Sequence, residues 1–196
     1  MDLTLGKLWV MDVEGNGATP PEIIELAIVE IANLSIMPRH WQWLVRPESP
    51  ILPAATRIHG LADDDVADAP SIDDISGDIM TWTDGATIVG HNVKIELDII
   101  SRSIPDWKPA AAIDTLKLAR TLKPGLESYG LEKLGVLMGH SEEAAQRSGK
   151  RHHSALYDTI LTALIFIDLM SALPVELRSD ALMSADILAS RQGILL

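Results

Sequence analysis

Asp12 and Glu14 stand two residues apart at the end of an apolar run, Leu8-Trp9-Val10-Met11, that stops at Gly15-Asn16-Gly17. Positions two apart on a strand share a face, so both carboxylates project together from the strand's end, where loops and clefts form. Two like charges this close repel unless a cation lies between them. Alone, such a pair reads as readily as a solvated strand end, but the apolar approach argues for a central strand. His153 and Asp158 make a second group: Asp158 falls one and a half turns into an otherwise apolar helix, where a carboxylate must be paired, hydrogen-bonded or metal-bound. The third is His91-Asn92 at a strand-to-helix junction, followed by Glu96 and Asp98. Successive helical residues turn by about 100°, so these two acids face nearly opposite ways and only one can join the first pair. Glu96, one turn in, points back over the strand ends. Asp98 is the fallback if the helix register is shifted.

The composition narrows the chemistry. With no cysteine among 196 residues, thiolate nucleophiles, iron-sulfur clusters and disulfides are excluded, and any metal must sit on carboxylates and imidazoles. Net charge is -12, a field that repels nucleic acid as a whole, yet it is uneven: residues 1–88 carry 4 basic and 15 acidic side chains, residues 89–153 carry 10 and 8. Only the middle of the chain tolerates a polyanion. No apolar stretch approaches the roughly 18 residues a membrane span needs, and the first ten residues lack the pattern of a secretion signal. The expectation is a protein without a membrane partner, in the cytoplasm.

The elements that must position these side chains follow from periodicity. Residues 8–14, 23–31 and 41–45 read as strands of an antiparallel meander, with a turn over 33–39. Helices are expected over 71–82, from Asn92 as cap through 103, from Asp114 as cap through 121, over 131–138 and over 154–170, with a short strand at 86–89. A last helix opens at Pro174 and runs towards 192, and 139–150 reads as a mobile surface loop. Trp41 and Trp43 share a strand face and read as core or interface before a base-stacking platform. The acidic run from Asp63 to Asp84 reads as a solvated face. Arg147, Lys150 and Arg151 could guide phosphates. Strands first, then helices alternating with single strands, predict an α/β fold: a mixed central sheet flanked by helices in three layers, one domain over 1–196.

Taken in order, the motifs resemble the DEDDh 3′-to-5′ exonucleases of the RNase H-like fold, of the kind that proofreads for bacterial DNA polymerase III. Asp12-Val13-Glu14 resembles the first motif, 21–27 the second strand, Arg57-Ile58-His59-Gly60-Leu61 a pocket-lining segment, 90–96 the second motif, Asp114-Thr115-Leu116 a capping element, and 153–158 the H-x-A-x-x-D third motif. The resemblance spans residues 8 to about 169. It implies that Asp12, Glu14, Glu96 and Asp158 hold two Mg²⁺ or Mn²⁺ ions, with Asp12 bridging, and that His153 is the general base. His152 is one residue out of register with Asp158 for that role. Gly15, Asn16, Gly17, His59, His91 and Asn92 are the implied substrate contacts, and 3′ ends of single-stranded DNA or RNA the implied partner. The chain departs from the family in carrying Glu96 where Asp is usual, and Gly15-Asn16-Gly17 where Thr-Thr-Gly is common. A catalytically impaired homologue that binds nucleic acid or a protein is therefore the competing reading, and hydrolysis of short oligoribonucleotides a third. Oligomeric state, a homodimer included, is left open.

Overall fold

The computed structural model describes residues 7–189. Strands β1 (Lys7–Gly15), β2 (Ile23–Ala32) and β3 (Ser35–Leu44) form an antiparallel meander. β4 (Thr87–Gly90) and β5 (Ala111–Asp114) extend the sheet in parallel from β1, in the order β3-β2-β1-β4-β5. β1 is therefore central, with both faces covered, which is why residues 8–11 are apolar without interruption. Leu8 and Val10 join Ala27 and Val29 in one core, whereas Trp9 and Met11 join Leu26 and Ile28 in the other. The alternation runs on past the apolar residues, so Asp12 and Glu14 stand on the face of Leu8 and Val10.

That first face packs against α8 (Ala155–Ser171), an almost wholly buried helix, which α5 (Thr115–Leu122), α6 (Leu131–Met138), α7 (Ser141–Ser148) and α9 (Val175–Ala185) surround. The opposite face is closed by α3 (Ile72–Thr83) and α4 (Lys94–Ser103), through Ile75, Ile79, Leu97 and Ile100. This is the three-layer mixed-sheet arrangement the sequence predicts. Two short helices, α1 (Pro53–His59) and α2 (Asp63–Val66), gather Ile51, Ala55 and Val66 against Ile24.

Several local expectations are corrected. The supposed turn 33–39 is a tight turn at Asn33 and Leu34, both at positive φ, and β3 begins already at Ser35. Its exposed outer edge tolerates Pro38 and Arg39, residues that disguise a strand. The supposed loop 139–150 is largely helix α7, closed on either side by Gly139 and Gly149 in left-handed backbone. Only Ala144 of that helix is buried, so its sequence carries no apolar period. Asn92 does not cap α4: it sits at φ 63, and Val93 precedes the helix without a side-chain cap. Asp114 does cap α5, accepting the Leu116 N–H at 2.9 Å. The last helix ends at Ala185, and the expected stretch from 190 to 192 lies outside the described residues. Trp41 packs with Trp9 and stacks on Trp82 at 4.2 Å, on the face away from the carboxylates, so it builds core rather than a stacking platform.

Candidate active site

Three elements converge where β1 leaves the core. β1 brings Asp12 and Glu14, the first turn of α8 brings Asp158, and the first turn of α4 brings Glu96. One carboxylate oxygen from each of Asp12, Glu14 and Asp158 lies within 4.8 Å of the other two. Glu96 is outside this tight triad but close enough to act on it electrostatically. It is 5% exposed, and its Oε2 is buried without a hydrogen-bond partner among the described residues. Asp98 is not brought to the site; it pairs with Lys94 on the outer side of α4.

Burial and mutual repulsion set the protonation of this cluster. Enclosure pushes the Asp12 carboxyl well above the usual carboxylate range, reinforced by the charges of Asp158, Glu96, Glu14 and Glu25. Glu14 is pushed up to about 8 by burial, then by Asp158 and Glu25, against a lowering by His152. Glu96 also rises to about 8, through burial first and then the charges of Asp114 and Glu14, against a lowering by a hydrogen bond from its own backbone N–H. Without a cation these groups hold protons that exposed carboxylates would have lost.

Two histidines flank Asp158. His152 Nδ1 lies 2.6 Å from Asp158 Oδ1, and the His153 backbone N–H donates to Oδ2 at 3.0 Å. The two imidazoles stack with centroids 3.9 Å apart. The hydrogen bond to Asp158 raises the pKa of His152, while burial and the neighbouring His152 lower that of His153. His153 is exposed, and its ring nitrogens make no hydrogen bond among the described residues.

The expected substrate contacts divide into occupied and available groups. Asn16 is fully buried and holds its own loop together: Oδ1 accepts from the N–H groups of Ala18 and Glu22, and Nδ2 donates to the Ser49 carbonyl. That is a structural knot, and it engages the Asn16 side chain within its own loop. His91 is likewise pinned, Nδ1 against the Thr115 hydroxyl at 2.9 Å and Nε2 against the Tyr129 carbonyl at 2.8 Å. A carbonyl only accepts, so Nε2 carries the hydrogen, and neither nitrogen is left for substrate. Asn92 gives its backbone N–H to Asp114 Oδ1, and its exposed side chain is unbonded among the described residues. Gly15 ends β1 at a register shift, and Gly17 lies exposed against Leu52 and Ala55. His59 accepts the Leu61 N–H at Nδ1, and its buried Nε2 has no hydrogen-bond partner among the described residues. It lines a groove of about 400 Å³ with Glu25, Leu61, Lys150, Arg151 and Ser154.

Glu25 is the residue that sequence reasoning passed over. It is 4% exposed, lies directly across from Glu14 in the β1–β2 ladder, accepts the Ala155 N–H at 2.9 Å, and accepts a further hydrogen bond from Gln42. It thus ties β2 to the first residue of the helix that presents Asp158. An acidic residue inside a run of buried apolar ones was the available signal, the same that singled out Asp158.

The residues present fit divalent cations. A triad of carboxylate oxygens, a fourth acid with an orphaned buried oxygen and the raised pKa values all describe negative charge gathered for a positive partner, and all-oxygen donors suit Mg²⁺ or Mn²⁺.

Comparison with known proteins agrees with this geometry. A family model described as an exonuclease, of RNase T type, matches residues 9–166. Exodeoxyribonuclease 10 of Escherichia coli K12 is 33% identical over 154 residues, covering 76% of this chain and 62% of that protein. DNA polymerase III PolC-type of Caldanaerobacter subterraneus subsp. tengcongensis is 30% identical over 173 residues, covering 86% of this chain and 12% of the polymerase. The chain thus spans less than two thirds of either relative. Among solved structures, Exonuclease X in complex with 5′ overhanging duplex DNA superposes with a TM-score of 0.67 at 31% identity, covering 89% of this chain and 98% of that one. E. coli Exonuclease I in complex with a dT13 oligonucleotide, at 16% identity and a TM-score of 0.67 over 85% of this chain and 41% of its own, shares the fold. Because the family match begins in β1 and ends inside α8, the strand and helix that carry Asp12, Glu14 and Asp158, the chain belongs to the RNase T-type exonuclease family.

Proposed function

We propose that the chain is a metal-dependent 3′-to-5′ exonuclease that removes nucleotides from the 3′ ends of DNA. The observation that carries this reading is the convergence of Asp12, Glu14 and Asp158 within 4.8 Å of one another, with Glu96 buried beside them. Exonucleases of this family use divalent metal ions. Here Asp12, Glu14, Glu96 and Asp158 would hold two Mg²⁺ or Mn²⁺ ions. Bound there, such ions supply positive charge to the attacking and leaving oxygens of a phosphodiester.

The chain's own residues do the rest. His153, its pKa lowered by partial desolvation and by the neighbouring His152, accepts the proton of the attacking water at a free ring nitrogen. The 3.0 Å bond from its backbone N–H to Asp158 fixes that histidine relative to the carboxylates. Lys150 and Arg151, beside His59 in the groove, give the strand's phosphates a basic landing in an otherwise acidic protein. The exposed backbone at Gly17 is left to meet the terminal nucleotide. The relatives' names, exodeoxyribonuclease and DNA polymerase, and a neighbour bound to 5′ overhanging duplex DNA favour DNA over RNA.

The test is release of mononucleotides from 3′-labelled single strands and from 5′-overhanging duplexes with Mg²⁺ or Mn²⁺. Release that EDTA abolishes and Asp158→Asn lowers by at least about 100-fold is expected. No release from either substrate, or release that Asp158→Asn leaves intact, would overturn the assignment.

A further inference from the structure

Asp158 belongs to two sets of donor atoms. The first is the carboxylate triad with Asp12 and Glu14; the second is His152 and His153, with one donor atom from each residue again within 4.8 Å of the others. We propose that the second set is a zinc site, and that Zn²⁺ bound there switches the enzyme off by taking Asp158 away from the first. The switching half of this rests on the exonuclease reading above; the binding half does not.

The donor chemistry separates the two sets. Two imidazole nitrogens and one carboxylate oxygen, with a fourth position open to water, is a familiar zinc complement, whereas Mg²⁺ prefers oxygen alone. Nitrogen donors also place Zn²⁺ well above Mn²⁺ in affinity. The local geometry is close to assembled. His152 Nδ1 already faces Asp158 Oδ1 at 2.6 Å, so a cation would replace the proton between them. The other nitrogen of His152, Nε2, has Glu132 Oε2 3.9 Å away, an exposed carboxylate that a small movement would bring into hydrogen-bond range of a metal-bound imidazole. His153 is exposed, so its ring can turn off the stack towards the same point without breaking a hydrogen bond. The exonuclease mechanism needs only one histidine here, and the site accounts for the second. Zinc on Asp158 Oδ1, with Oδ2 already accepting the His153 N–H, draws that carboxylate's charge out of the triad and sets a further cation beside the Mg²⁺ or Mn²⁺ pair, so zinc and the pair oppose one another.

Co²⁺ reports the distinction in the metal-free protein, because tetrahedral nitrogen-bearing sites absorb visible light far more strongly than octahedral oxygen sites. The wild-type chain with one equivalent of Co²⁺ is expected to give the strong tetrahedral band. His152→Ala should abolish it, Glu96→Gln should retain it, and Glu132→Gln should weaken the binding about tenfold. A weak octahedral spectrum, or a band indifferent to His152→Ala, would overturn the site. In the 3′-end assay, Zn²⁺ should inhibit, with a midpoint that rises in proportion to Mg²⁺. Tetrahedral binding without inhibition of an active enzyme would overturn the switch. Failure of hydrolysis with every metal would instead sink the exonuclease reading, while the spectrum still decides the site.

Discussion

Replacing Glu96 by Gln in metal-free protein should stabilise the fold, and only at high pH. The folded carboxyl titrates at about 8 against an ordinary 4.5, because it is buried beside the charges of Asp114 and Glu14. A carboxyl whose folded pKa is raised lends its full stability below the unfolded value, and that stability drains away as pH rises towards the folded value. At about 1.4 kcal/mol per pH unit, the interval from 4.5 to about 8 corresponds to about 5 kcal/mol of destabilisation once both states are ionised. Part is shared with Asp12, whose own rise owes something to Glu96, so about 3–5 kcal/mol is the expected effect of the neutral isostere. Urea unfolding in EDTA should therefore find Glu96→Gln within about 1 kcal/mol of wild type at pH 5 and about 3–5 kcal/mol more stable at pH 8.5. Added Mn²⁺ should close the gap from the wild-type side, since the cation relieves the repulsion. Equal pH profiles for the two proteins, or a Gln variant destabilised equally at both pH values, would refute this electrostatic reasoning.

Three further perturbations separate chemistry from scaffolding. His153→Ala should lower turnover by about 10²–10⁴-fold in steady-state 3′-end hydrolysis while leaving the unfolding midpoint unchanged, because the side chain is exposed. Glu25→Ala deprives the Ala155 N–H and Gln42 of their acceptor, so unfolding at pH 5 should show a loss of about 1–3 kcal/mol. Mn²⁺ affinity should fall about tenfold as the start of α8 loosens. Asp114→Ala removes the acceptor shared by Leu116 and Asn92 and should destabilise by about 1–3 kcal/mol in thermal melts.

What the sequence disclosed depended on how local the cause was. β1 was legible because its apolar run and its paired acids are contiguous, and Asp158 because a carboxylate inside a greasy helix contradicts its surroundings. Asp114 was legible as a cap because capping joins residues two apart. α7 was not, since a helix that buries one alanine has no period to read. The amino-terminal half of β3 hid behind Pro38 and Arg39, which an exposed edge accepts. The resemblance implies substrate contacts at Asn16 and His91, and nothing local in the sequence discloses that their side chains are held within the fold. Their partners, Ser49 and Tyr129, lie 33 and 38 residues away. Glu25 is the extreme case: its meaning comes from Ala155, 130 residues distant, and from Glu14 across the ladder.

Everything turns on whether the gathered carboxylates bind cations. Titrating the chain with Mn²⁺ and following the free-ion signal by electron paramagnetic resonance measures this directly. The account predicts two ions taken up per chain, with Asp12→Asn abolishing uptake of both in the same concentration range. Mn²⁺ left free by the wild-type chain, or taken up equally by Asp12→Asn, would contradict it.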